Sequence, residues 1–113
     1  MSLEEVETVF DALAHEARRH ILLVLAHYGP ELPSGYLAKR FSHSWPTTTR
    51  HLRVLEAARL IRSRRDGRNC VYRLEREHLQ HVVGSWLGLL DPPSSDQTWR
   101  SAGPRSAVKG TSP

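Results

Sequence analysis

The chain has 113 residues, enough for one compact domain and too few for two plus a linker, which excludes a two-domain enzyme. Hydrophobic residues make up 39% and charged residues 25%, and with a mean hydropathy of -0.47 and no long apolar run the chain reads as soluble, with no membrane span. The net charge of +4 is unevenly spread: residues 1–30 hold five acids and two bases, whereas residues 40–73 hold nine arginines against Glu56 and Asp66. A basic middle third suits a polyanion and is the expected footprint of nucleic-acid contact.

From Leu3 to about Tyr28, apolar residues recur at the three-and-four spacing of an amphipathic helix, with a junction between two helices expected within Leu13–Ala17. The opening MSLEEVETVF is acidic where an export signal would be basic, so the expected location is the cytoplasm. Gly29 and Pro30 end the helical stretch and Pro33 delays the next start. Ser34 is then expected to cap a short helix whose buried side is Tyr36, Leu37, Ala38 and Phe41.

A stronger start signal follows. Ser44 is placed to cap a helix whose first turn contains Pro46, where the missing N–H costs nothing. The inward stripe is Thr48, Leu52, Leu55 and Ala58, leaving Trp45, Thr47, Thr49, Arg50, Arg53 and Val54 on or near the outward side. From Leu60 to Leu74 the period changes to two around Asp66-Gly67, a hairpin signature that carries Arg62, Arg64, Arg65, Arg68 and Arg73 on a two-stranded arm. The arm is expected to lean on the helices through Ile61, Cys70, Tyr72 and Leu74. Residues 75–90 return to helical spacing, with Leu79, Val82, Val83, Trp86, Leu87 and Leu90 as an apolar stripe. Gly84 and Gly88 suggest close helix packing or a weak helix end. Residues 91–113 are rich in Pro, Ser and Gly and read as a disordered or loosely attached tail, which leaves residues 1–90 as the folded domain.

The expected fold is mainly α with a small β-hairpin, a winged helix-turn-helix: a basic helix fits the major groove while a basic arm reaches phosphates or the neighbouring minor groove. The segments ALAHEARRHILLVL (12–25), SGYLAKRFSHSWPTTTRHLRVLEAARLI (34–61) and SRRDGRNCVYRL (63–74) resemble the ArsR/SmtB-type winged-helix transcriptional repressors of bacteria. The resemblance covers roughly residues 6–90. It implies a homodimer whose two recognition helices read a pseudo-palindromic operator in double-stranded DNA. The implied recognition-helix contacts are Ser44, Trp45, Thr47, Thr49 and Arg50, with His51 and Arg53 nearby, and the wing contacts are Arg62, Arg64, Arg65 and Arg68. Trp45 either reads thymine methyl groups or packs on Phe41. The implied dimer seam is Val6, Val9, Phe10 and Leu13 against Leu79, Val82, Val83, Trp86 and Leu90, unless these form an ordinary core within one chain.

Ligand sites were weighed residue by residue. The thiolate site of many metal sensors in that family falls on Ser34-Gly35-Tyr36-Leu37, which contains no cysteine. His78 and His81 lie one turn apart and supply two ligands, but the second pair expected about ten residues on is missing from Gly88 to Pro93. The lone cysteine, Cys70, is either a redox switch or a small buried side chain beside Tyr72 and Leu74. The expectation is therefore no cofactor, no metal and no enzymatic activity, since no acid-base or nucleophile constellation occurs. The effector is left open. The alternatives are a winged-helix protein-interaction module, or a redox- or metal-responsive version of the same repressor.

Overall fold

The computed structural model describes residues 1–41 and 44–92; the tail expected at 91–113 lies outside them beyond Pro92. Ser2 opens helix α1 (Leu3–Leu13) by accepting a hydrogen bond from the Glu5 amide, and Glu4 and Glu5 sit in its first turn, where acids favour the helix dipole. The expected junction falls at Ala14 and His15. Helix α2 (Glu16–Tyr28) then buries Ile21, Leu22, Val24 and Leu25 and stops at Gly29, whose amide donates to the Leu25 carbonyl. A Cβ at Gly29 would collide with that same carbonyl oxygen, so the stop requires glycine.

A two-residue strand, β1 (Leu32–Pro33), precedes the short helix α3 (Ser34–Arg40). Ser34 does not cap α3: Pro33 is the cap residue, and Ser34 already lies inside the helix. Within α3 only Leu37 is fully buried, and Tyr36 is exposed rather than inward, with Arg40 reaching toward its hydroxyl. Helix α4 (Trp45–Ala57) starts as expected, with the Ser44 hydroxyl accepting from the Thr47 amide at 3.3 Å and Pro46 in the first turn. Thr48, Leu52, Leu55 and Ala58 are all buried. Val54 departs from its expected outward place and packs half-buried against the core.

The hairpin consists of β2 (Ile61–Asp66) and β3 (Asn69–Leu74) in antiparallel register, Ile61 opposite Leu74 and Asp66 opposite Asn69. Its two-residue turn is Gly67-Arg68, one residue later than Asp66-Gly67, and Gly67 alone carries a positive φ, of 65°. β1 pairs with the other edge of β3, giving a three-stranded sheet in the order β1-β3-β2 where a two-stranded arm was expected. This extra strand explains a second departure. Val71 is buried at the centre of the sheet although it alternates with Cys70, Tyr72 and Leu74, because Pro33 flanks it on β1 and Arg64 on β2.

Helix α5 (Arg76–Leu89) returns across α1. Phe10 and Trp86 meet edge to face with centroids 4.9 Å apart, and Val6, Val9 and Val82 are at most 1% exposed. Of the residues expected on a dimer seam or in an ordinary core, Val6, Val9 and Val82 are buried within one chain, and Phe10, Leu13, Leu79, Val83 and Trp86 pack half-buried on the same core. Leu90 is different, being 62% exposed, and Leu87 and Leu89 are open next to it in sequence, while Leu3 is open at the start of α1. Gly84 and Gly88 face open space, so they mark no close packing inside the chain.

Candidate nucleic-acid interface

α4 and the wing place their free cations on the protein surface. Trp45 is 51% exposed at the start of α4, Arg50 and Arg53 are exposed along it, and Thr47 and Thr49 are half-exposed. The Ser44 hydroxyl, which also donates to the Thr47 hydroxyl at 3.0 Å, is committed to the cap, so its first job is to fix the helix start. Neither Arg50 nor Arg53 has an ion pair or side-chain hydrogen bond among the described residues, and the same holds for Arg65 and Arg68 near the wing tip. Unpaired guanidinium groups offer planar forks that match phosphate oxygens and guanine edges.

The other two wing arginines differ. Arg62 lies 3.4 Å from Glu75. Arg64 is bound in both arms by Glu31, Nε to Oε2 at 2.8 Å and Nη2 to Oε1 at 2.6 Å. That hydrogen bond holds the Glu31 carboxyl below its ordinary range, outweighing the partial desolvation that pushes it up, with the charges of Arg64 and Arg73 adding to the effect.

His51, expected near the groove contacts, is half-buried and bonded within the protein. Its Nδ1 accepts from Arg18 Nε at 3.2 Å, while Arg18 Nη1 donates to the Asp11 carbonyl at 3.2 Å. Arg18 is 9% exposed and ties α1, α2 and α4 together. It was legible as an anomaly, a cation on the apolar stripe between Ala17 and Ile21, but its partner was not. A further tie joins α4 to the wing, where the Ser63 hydroxyl donates to Glu56 at 2.6 Å. Next to it, burial pushes the Tyr72 phenol up to about 12, helped by the hydrogen bond and charge of Cys70 and by Glu56, with Arg53 opposing. Cys70 is therefore half-buried beside Tyr72, as the alternation suggested.

Among the described residues no three His, Cys, Asp or Glu side chains gather closely enough to hold a metal ion. His78 is half-buried, its Nε2 enclosed without a hydrogen-bond partner among them, whereas His81 is exposed. No helix among them is long and apolar enough to cross a membrane.

Residues 13–64 match a helix-turn-helix domain family. The chain is 30% identical to the transcriptional repressor SdpR of Bacillus subtilis over 80% of its own length and 99% of SdpR. It is 40% identical to the HTH-type transcriptional regulator KmtR of Mycobacterium tuberculosis over 69% of its length, a match that spans 58% of KmtR. Its fold is similar to that of a winged helix-turn-helix DNA-binding domain from Mycobacterium bovis, described as homodimeric and as a possible ArsR-family regulator, with a TM-score of 0.64, 26% identity and coverage of 77% of this chain and 80% of that one. The helix order, the wing and these relatives together place the chain in the ArsR-type family of winged helix-turn-helix transcriptional regulators.

Proposed function

We propose that the chain is a sequence-specific DNA-binding repressor that acts in the cytoplasm as a homodimer on a pseudo-palindromic operator. One observation carries this reading: four arginines without ion pairs among the described residues, Arg50 and Arg53 on α4 and Arg65 and Arg68 near the wing tip, stand on the two elements that a winged helix lays against a duplex. Trp45, Thr47, Thr49 and Arg50 face base edges, Arg53 lies along the groove wall, and Arg65 and Arg68 take phosphates or the minor groove. The short helix carries no thiol, so the repressor works without the cysteine metal site.

Two copies join through what one copy leaves uncovered. The exposed Leu87 and Leu89 of α5 and Leu90 at its C-cap supply that apolar surface, close in sequence to Trp86, which pairs with Phe10. The homodimer described for the Mycobacterium bovis domain supports this arrangement.

The test is duplex binding as a function of salt. About four phosphates neutralised per protomer give a log-log slope near about -7 for the dimer. Arg50→Ala costs about 1 to 3 kcal/mol per half-site and relaxes base preference. A slope near zero, or unchanged sequence preference in Arg50→Ala, would sink the proposal.

A further inference from the structure

The wing holds its arginines in two states. Near the tip, Arg65 and Arg68 have no carboxylate partner among the described residues, whereas Arg64 is gripped at both arms of its guanidinium by Glu31. A carboxylate bound this way occupies the same fork that a phosphate would occupy. Glu31 is not on a loose loop. It immediately precedes β1, whose Leu32 and Pro33 are in register with Tyr72 and Val71, and Arg64 stands opposite Val71 on the far side of β3. Pro33, Val71 and Arg64 thus form one row across the sheet.

The surroundings fit a charge-compensated cluster. Arg62 and Arg73 face each other across β2 and β3, a like-charge pair that is unfavourable alone. A groove of about 500 Å3 lined by Arg62, Arg64 and Arg73 also contains Glu31 and Glu75. The Arg64 side chain is 54% exposed, so solvent and salt reach the pair and a phosphate can approach it.

We propose that Glu31 is an internal competitor for DNA phosphate: it occupies Arg64 in the free protein and so sets how tightly the wing holds duplex of any sequence. The inference rests on the DNA-binding reading above. Exchanging carboxylate for phosphate on Arg64 gains little, so the wild-type wing draws its non-specific affinity from Arg65 and Arg68. Removing the Glu31 charge releases Arg64 as an additional phosphate contact.

The experiment is a double-mutant cycle on the full chain with a mixed-sequence 30-base-pair duplex, measured over a range of salt concentrations. Glu31→Gln should tighten binding by about an order of magnitude per engaged protomer near 0.1 M salt and steepen the log-log slope by about one per protomer. Arg64→Gln should change wild-type affinity less than about twofold but abolish the whole gain in the Glu31→Gln background. The double variant has the wild-type net charge, so a gain that survives in it would come from elsewhere and overturn the inference. So would an Arg64→Gln loss as large in the wild type as in Glu31→Gln, which would place Arg64 on phosphate with Glu31 intact. Absence of any salt-dependent duplex binding by the wild-type chain is a different failure, one that removes the DNA-binding reading and this inference together.

Discussion

Arg18 Nε donates to His51 Nδ1 across 3.2 Å, joining α2 to α4. A guanidinium can only donate, so His51 Nδ1 is the acceptor of this bond. The same guanidinium reaches the Asp11 carbonyl, so one side chain sets the position of α4 against both preceding helices. Arg18→Met keeps the unbranched stem of the side chain and removes both bonds. It should cost about 1 to 3 kcal/mol in urea unfolding and weaken duplex binding although Arg18 is only 9% exposed. Unchanged stability would show that the bond does not hold α4.

Thr48 presents the opposite case. Its hydroxyl is buried under α4 without a hydrogen-bond partner among the described residues. Valine has nearly the same shape and no polar group to satisfy, so Thr48→Val should raise stability by about 1 kcal/mol and leave DNA binding intact. A loss of stability in thermal unfolding would mean that the hydroxyl is satisfied.

Arg59 leaves α4 with a φ of 62°, in the left-handed region that glycine enters without strain. The Leu60 amide reaches back to the Leu55 carbonyl at 3.0 Å and closes the helix end. Arg59→Gly relieves the strain and loses only an exposed ion pair to Glu5. The expected gain is up to about 1 kcal/mol, a rise in melting temperature of several degrees; a fall would contradict it.

Glu31 gives a pH dependence of definite sign. Its carboxyl is held below the ordinary value of 4.5, chiefly by the hydrogen bond from Arg64. A lowered carboxylate adds stability that is fully present above the unfolded value and is lost as pH falls through the folded one. Wild type should therefore melt above Glu31→Gln at neutral pH, and the gap should close as the pH drops below the ordinary carboxylate range. A gap that stayed constant into acid would contradict the pairing.

The sequence was most readable where structure is decided locally. Ser44 and Pro46 announce the start of α4 because capping acts within one turn, and Thr48, Leu52 and Leu55 mark its buried face because helical periodicity is local. What stayed hidden depends on distant partners. β1 is two residues long, too short for any period, and exists because β3 offers it an open edge. That pairing buries Val71 on a face that alternation alone assigned to solvent. Glu31 finds Arg64, and Arg18 finds His51, each across 33 residues. Charge counting cannot separate the gripped Arg64 from the unpaired Arg65 next to it. The dimer seam meets the same limit: the spacing of Val6, Val9 and Val82 shows that they are buried, not which chain buries them.

α4 and the wing are proposed to read duplex sequence as part of a dimer. Selection of bound duplexes from a random pool by the purified chain, repeated at two salt concentrations, tests it most directly. The account predicts enrichment of an inverted repeat whose half-sites lie about one helical turn apart, weaker in total yield but unchanged in sequence at the higher salt. Recovery of no preferred sequence at either concentration would contradict it.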